Sequence, residues 1–383
     1  MENTWLIASI WMALALGASL ISIRIGLSVA LAEILMGVIG GNFLNLHTAP
    51  WIDFLASFGA VLLTFLAGAE IDPESLRKNL KQSVSIGVLS FLVPFIGAWL
   101  LAYFVVGWDM QAAQIAGIAL STTSVAVVYA VMVETGLSET NLGKLILAAC
   151  FITDLGTVLA LGILFAHFDI RMIIFIGVTI PILWLLPKIA PGIIHRWGQR
   201  VSEPAIKFFL LCLFVLAWLA NASGSEAVLP AYLIGLVAAG VFIKDKTVLH
   251  KMRTVAFAVL TPFYFLKAGM LISLPAVIAG FILVITFLAL KIATKFIGVW
   301  PLTRIFRMTM REGNYMTLLM STGLTFGSIS ALFGLTNHII DQNQYTILVT
   351  VVIGSAVVPT LIAQQWFQPR AIQEQSIETN EIK

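Results

Sequence analysis

Apolar runs of about twenty residues recur along this chain from its first residues almost to its last. Each is long enough for a helix rising about 1.5 Å per residue to cross roughly 30 Å of hydrocarbon. Thirteen such spans are read from the sequence, at about 4–22, 26–44, 53–71, 83–107, 113–134, 142–166, 172–189, 205–221, 227–243, 254–272, 276–299, 311–335 and 344–365. Charged residues make up only 11% of the 383 positions, against about 25% in soluble domains. The fold class expected is therefore an all-α membrane protein with 13 transmembrane helices. A lipid-spanning β-barrel would show alternating segments of about ten residues, which the sequence lacks. The opening MENTW carries no basic segment or cleavage signal, so the first span is expected to be retained. Cys150 and Cys212 both fall inside spans and are read as packing residues rather than a disulfide or metal pair.

The basic residues set an orientation. Of 22 Lys and Arg, 18 lie at the ends of one alternate set of connections: Arg24; Arg77, Lys78 and Lys81; Lys144; Lys188, Arg196, Arg200 and Lys207; Lys244, Lys246, Lys251 and Arg253; Arg304, Arg307 and Arg311; Arg370 and Lys383. Only Arg171 lies on the other side. The positive-inside rule then places the N-terminus outside and the C-terminus in the cytoplasm, in agreement with an odd number of spans. These loops are read as retained cytoplasmic charge beside membrane lipid, with no nucleic-acid partner. Lys267, Lys291 and Lys295 remain inside spans. Lys267, near the outer end of span 10, is expected to snorkel to the interface. Lys291 and Lys295, four residues apart, share one face of span 11.

An internal repeat follows from paired motifs. Span 5 carries ALSTTSVAV (119–127) and span 12 LMSTGLTFGS (319–328), while span 3 carries TFLAGAEIDP (64–73) and span 10 YFLKAGMLIS (264–273). Both pairs are displaced by about 200 residues and by seven spans, so paired spans cross in opposite directions. This predicts two inverted six-helix repeats, about 4–166 and 205–365, around a linking helix at 172–189, with a short cytoplasmic tail at 366–383, all within one transport domain over 1–383. In such proteins the substrate site lies near the midplane, where broken helices meet. Ser and Thr hydroxyls can satisfy backbone groups freed by a break, and Thr322, Gly323, Thr325 and Gly327 are the candidates for a break in span 12.

Asp154, in FITDLGTVLA (151–160), stands at mid-span. An ionised carboxylate at bilayer depth costs at least roughly 2.5–3.5 kcal/mol and persists by facing the protein interior or an aqueous cavity. A structural polar contact would also account for it; an ion seat accounts for it together with the repeat. Glu33, in the inner part of span 2, either pairs with a basic residue or lines a cytoplasmic funnel. Glu70, beside Asp72-Pro73, reads as interfacial.

Successive blocks of the chain resemble the second monovalent cation:proton antiporter family, which includes bacterial sodium/proton and potassium/proton antiporters. They are AEILMGVIGG (32–41), FGAVLLTFLAGAEIDP (58–73), ALSTTSVAVVYAVMVETG (119–136), LGKLILAACFITDLGTVLALGIL (142–164), LTPFYFLKAGMLISL (260–274) and ATKFIGVWPLTRIF (293–306). The resemblance covers about residues 5–365. It implies an inner-membrane homodimer, a dimerisation panel, and a core domain with crossed broken helices. It places the ion-binding aspartate at Asp154, Thr122, Thr123 and Ser124 on the broken helix beside it, and the core lysine at Lys295, which has Gly298 at the family's spacing, rather than at Lys291. The sequence departs from the family in two places. Thr153, itself a candidate ion ligand beside Asp154, stands where electrogenic members carry a second aspartate, and Ser328 stands where many carry an acid. Only about 18 polar residues follow span 13, so a nucleotide-binding regulatory domain is not expected.

The function expected is monovalent cation/proton antiport, with Na⁺/H⁺ favoured and K⁺/H⁺ the variant, by alternating access. Proton and cation compete for Asp154, whose carboxylate, with Thr hydroxyls and main-chain carbonyls, supplies the oxygen ligands that a small alkali cation prefers. Asp154 is neutral when protonated, and the site is neutral with one cation, so exchange is expected to be electroneutral. A cation channel or a cation-coupled solute symporter on the same architecture is the competing reading. An enzyme is not expected: His47, His167, His195, His250 and His338 lie in connections or at span ends without a metal-ligand spacing. No cofactor is implied.

Overall fold

The computed structural model describes residues 4–25, 29–44, 46–70, 80–135, 137, 140–165, 170–197, 200–223, 227–242 and 246–369. Asp72, Pro73, Arg77, Lys78, His167, Lys244, Arg370 and Lys383, together with most of the tail, lie outside them. Among the described residues all regular structure is helical: α1 Thr4–Ile25, α2 Val29–Phe43, α3 Pro50–Ala69, α4 Leu80–Leu100, α5 Met110–Ser121, α6 Val125–Glu134, α7 Asn141–Leu164, α8 Ile170–Trp197, α9 Pro204–Ala222, α10 Val228–Phe242, α11 Thr247–Val255, α12 Thr261–Met270, α13 Leu274–Ala279, α14 Phe281–Ile305, α15 Met310–Met320, α16 Thr325–Thr336 and α17 Gln342–Ile362. Single π-helical stretches extend α4, join α11 to α12 and extend α17. Among the described residues, helix falls in every expected span, and nine helical rods are long and apolar enough to cross a membrane, with α2 and α10 apolar but shorter. The chain is a multi-pass, all-α membrane protein.

Local chemistry explains the boundaries. Asp109 caps α5 by accepting from Ala112 N at 3.0 Å. Thr309 and Glu312 form a capping box at the start of α15, and Asp341 and Gln344 form one at the start of α17; each satisfies amides that lack intrahelical acceptors. The stretch after α4 ends at Gly107, whose φ of 79° suits glycine. The linking helix departs from expectation: α8 runs on to Trp197, past 189, through Pro181, Pro187 and Pro191. Apolar surroundings favour an internally bonded backbone even where prolines remove donors.

The chain forms two compact units. One comprises 1–77 and 155–278, the other 78–154 and 279–383. Each draws helices from both halves of the sequence, as an interleaved repeat requires. In the first unit, rings of Phe65, Phe209 and Phe242 lie 5.0–6.1 Å apart and tie α3, α9 and α10 together, and Trp11 of α1 stacks on Phe263 of α12 at 5.5 Å.

The same unit shows its internal symmetry in glycine crossings. Where α2 meets α12, a Cβ on Gly37 would collide with the Leu266 carbonyl, and one on Gly269 with the Ile34 carbonyl. Where α10 meets α3, a Cβ on Gly235 would collide with the Phe65 carbonyl, and one on Gly68 with the Tyr232 carbonyl. The two crossings map onto each other at fixed offsets, 198 from α2 to α10 (37 to 235, 34 to 232) and 201 from α3 to α12 (65 to 266, 68 to 269). Only glycine permits backbones this close.

Charged side chains of this unit pair at its edges. Lys267, expected to snorkel, has its Nζ 2.7 Å from Asp53 Oδ1 in the first turn of α3. Glu70, just past the end of α3, lies 3.4 Å from Arg253, in keeping with an interfacial role. Glu33 of α2 is buried, and its Oε2 has no hydrogen-bond partner.

Candidate ion site in the second unit

Both breaks expected from hydroxyl-rich sequence are present, and both are buried. Between α5 and α6, residues 122–124 leave the helical path, with Thr122 extended at φ −62° and ψ 154°. Between α15 and α16 the backbone leaves it at 322–324, with Leu324 at φ −152° and ψ −75°. The break in span 12 is therefore narrower than the sequence suggested: Thr322 and Gly323 lie in it, whereas Thr325 and Gly327 belong to the first turn of α16. Gly327 serves close approach instead. A Cβ there would lie 3.0 Å from the Ala119 carbonyl and 3.1 Å from Thr122 Oγ1.

The two breaks are stitched together. Ser124 N donates to Thr322 O at 3.1 Å, and Thr123 Oγ1 donates to Met320 O at 2.9 Å. Hydroxyls also donate to carbonyls in the last turns of the first half-helices. Thr122 Oγ1 donates to Ala119 O and Ser121 Oγ to Ile118 O, while Thr322 Oγ1 donates to Leu319 O and Ser321 Oγ to Thr317 O. Donation leaves the oxygen lone pairs of these hydroxyls available as ligands.

Two lysines of α14 and one acid of α7 are the buried charges among the described residues of this unit. Lys295 Nζ donates to Ser90 Oγ at 2.8 Å, to Ser121 O at 2.8 Å and to Thr123 Oγ1 at 3.0 Å. Its ammonium thus sits at the C-terminal end of α5, where a helix carries partial negative charge. Asp154 is 1% exposed, its Oδ1 has no hydrogen-bond partner, and it interacts electrostatically with Lys295. Beside it, Thr153 Oγ1 donates to Ala149 O at 3.0 Å and approaches Gly87 O at 3.3 Å, binding α7 to α4.

The structure thus brings Thr122, Thr123, Ser124, Thr322, Gly323 and Lys295 into one buried cluster, with Asp154 coupled to it through Lys295. Lys291 belongs to it as well. Its Nζ lies against Gly323, where Thr122 Oγ1 and Ser355 Oγ also converge. Ser90 and Ser355 were not anticipated as part of the cluster. Each is a lone serine in an apolar run, which a linear reading takes for helix packing; a signal exists only in their offsets, 201 from Ser90 to Lys291 and from Asp154 to Ser355. Glu33 lies in the other unit.

A multi-pass helical protein with paired helix breaks around buried charges defines a secondary-transporter class of architecture. The chain belongs to the family described as sodium/hydrogen exchanger, transmembrane, which matches residues 11–368. It is 24% identical to the probable Na(+)/H(+) antiporter 3 of Methanocaldococcus jannaschii, covering 89% of each chain. It is 27% identical to the Na(+)/H(+)-K(+) antiporter GerN of Bacillus cereus, covering 87% of this chain and 88% of that one. Among solved structures it resembles the sodium proton antiporter MjNhaP1 from Methanocaldococcus jannaschii, with a TM-score of 0.71 at 17% identity over 93% of this chain and 95% of that one.

Proposed function

We propose that this protein exchanges a monovalent alkali cation for protons across the inner membrane, with sodium the favoured cation and potassium the alternative that the relationship to GerN keeps open. The observation that carries this reading is Asp154: a buried carboxylate with a free oxygen, interacting electrostatically with Lys295, which is bonded to the first of two helix breaks stitched together. Proton and cation compete for that carboxylate. Thr122, Thr123 and Ser124 and the carbonyls of the breaks complete an oxygen-rich shell, the type a hard cation selects. Thr153 contributes packing against α4 and no second carboxylate.

Alternating access follows from the competition. Only the neutral loaded states, protonated or cation-bound, cross the barrier, because an uncompensated carboxylate is costly at that depth. With its three donors engaged, Lys295 acts as a fixed charge that holds the α5 end rather than as a proton carrier. One proton then exchanges for one cation. The working form is a homodimer of thirteen-span chains, with the N-terminus outside and the C-terminus in the cytoplasm.

The test is exchange by the purified protein in liposomes, followed with a pH-sensitive dye on addition of sodium, potassium or lithium. Asp154→Asn should reduce exchange to the level of empty liposomes. Full exchange in that variant would remove the mechanism, and steady cation current without proton movement would favour the channel reading.

A further inference from the structure

Lys291 differs from Lys295, the other buried lysine of its unit. Its side chain is 1% exposed, and its Nζ has no hydrogen-bond partner. One turn away, Lys295 uses three acceptors. Thr122 Oγ1 and Ser355 Oγ converge on the same point beside Gly323, and they donate elsewhere, to Ala119 O and to Val352 O at 2.8 Å.

Gly323, against which the amine lies, is two residues before α16. The first amides of a helix lack intrahelical acceptors and carry roughly half a positive charge. Lys295 lies one turn along the same face of α14. Ser328, in the first turn of α16, is fully buried with an unpartnered hydroxyl. Set against Lys291 and Lys295, this unit has one buried acid among its described residues, Asp154. The Lys291 amine thus lies beside a helix end that attracts anions.

We propose that a small monovalent anion, chloride, binds at the N-terminal end of α16 against Lys291 Nζ. It accepts from the ammonium and the first-turn amides of α16. Helix N-termini bind anions by this combination of free amides and dipole. The site borders the cation seat at Thr122 and differs from it in its ligands, which are donors where the cation's are acceptors. Gly323 is part of it, since a Cβ there would displace the amine.

The proposal is tested by equilibrium binding of radiolabelled chloride to the purified full-length protein in detergent with gluconate as the balancing anion. Wild type should bind chloride saturably, about one per chain. Lys291→Met, which keeps the length and apolar stem of the side chain, should weaken binding at least tenfold, and Lys291→Arg should retain it. Gly323→Ala keeps the lysine and should weaken binding by displacing it, which preserves the test if Lys291→Met fails to fold. Absence of saturable chloride binding to wild type, the result expected of a neutral amine, would overturn the proposal. So would undiminished binding in Gly323→Ala or in folded Lys291→Met. The readout does not depend on transport: a protein that binds chloride but exchanges no cation would sink the antiport reading and leave this one standing.

Discussion

Lys295 and Lys291 are the same residue type on the same helix face, one turn apart, and the structure gives them different work. Lys295 ends at the Ser121 carbonyl and two hydroxyls; Lys291 ends at a helix N-terminus without an acceptor. Position along the helix, not chemistry, separates them, since one turn moves an amine from the negative end of one half-helix to the positive end of another. Replacing Lys295 by Met should therefore be costly. It leaves the Ser121 carbonyl without its donor, a loss of about 1–3 kcal/mol, and takes the buried countercharge from Asp154. The expected outcome is a clear fall in the thermal unfolding midpoint in detergent, partly restored in Lys295→Arg.

At the scale of elements, the two glycine crossings hold α2 against α12 and α10 against α3. A valine at Gly269 or at Gly68 would meet a backbone carbonyl, which cannot rotate away as a side chain can. Each substitution should destabilise by about 1–3 kcal/mol or more, and the two should do so similarly because the crossings are equivalent. At Gly177 of α8 the position a Cβ would take has nothing within 4 Å, and valine there should change stability by less than about 0.5 kcal/mol. Unfolding midpoints of the three variants in detergent check the contrast. The motifs of spans 3 and 10 already pointed to this symmetry. The partners of Gly68 and Gly269 did not follow from them, because carbonyls carry no residue-type signal.

For the whole molecule, the charge carried per cycle is the quantity at stake. One net charge moved through 100 mV is worth about 2.3 kcal/mol, roughly a 50-fold shift in the exchange equilibrium. The one-for-one cycle proposed for Asp154 moves none. In liposomes with sodium as the transported cation, clamping the membrane potential at −100 mV rather than zero should alter steady-state exchange less than twofold. A shift approaching 50-fold would show that a second proton travels with each cycle, with the lysines of α14 as its first candidates.

Composition and hydrophobic run length by themselves determined that this chain is a bundle of membrane helices, because lipid leaves the backbone few other ways to satisfy its polar groups. Spacing determined that the halves repeat, and residue type marked Asp154 and the Ser-Thr clusters as out of place in an apolar run. Tertiary structure alone decided the rest. It placed the span-12 break at 322–324, ahead of Thr325 and Gly327, paired Lys267 with Asp53, and brought Ser90 and Ser355 to the two lysines. The physical reason is common to all three. Burial at mid-membrane makes every polar group depend on a partner, and that partner is chosen by which helices cross, information that is distributed over residues some 200 positions apart and absent from any single run.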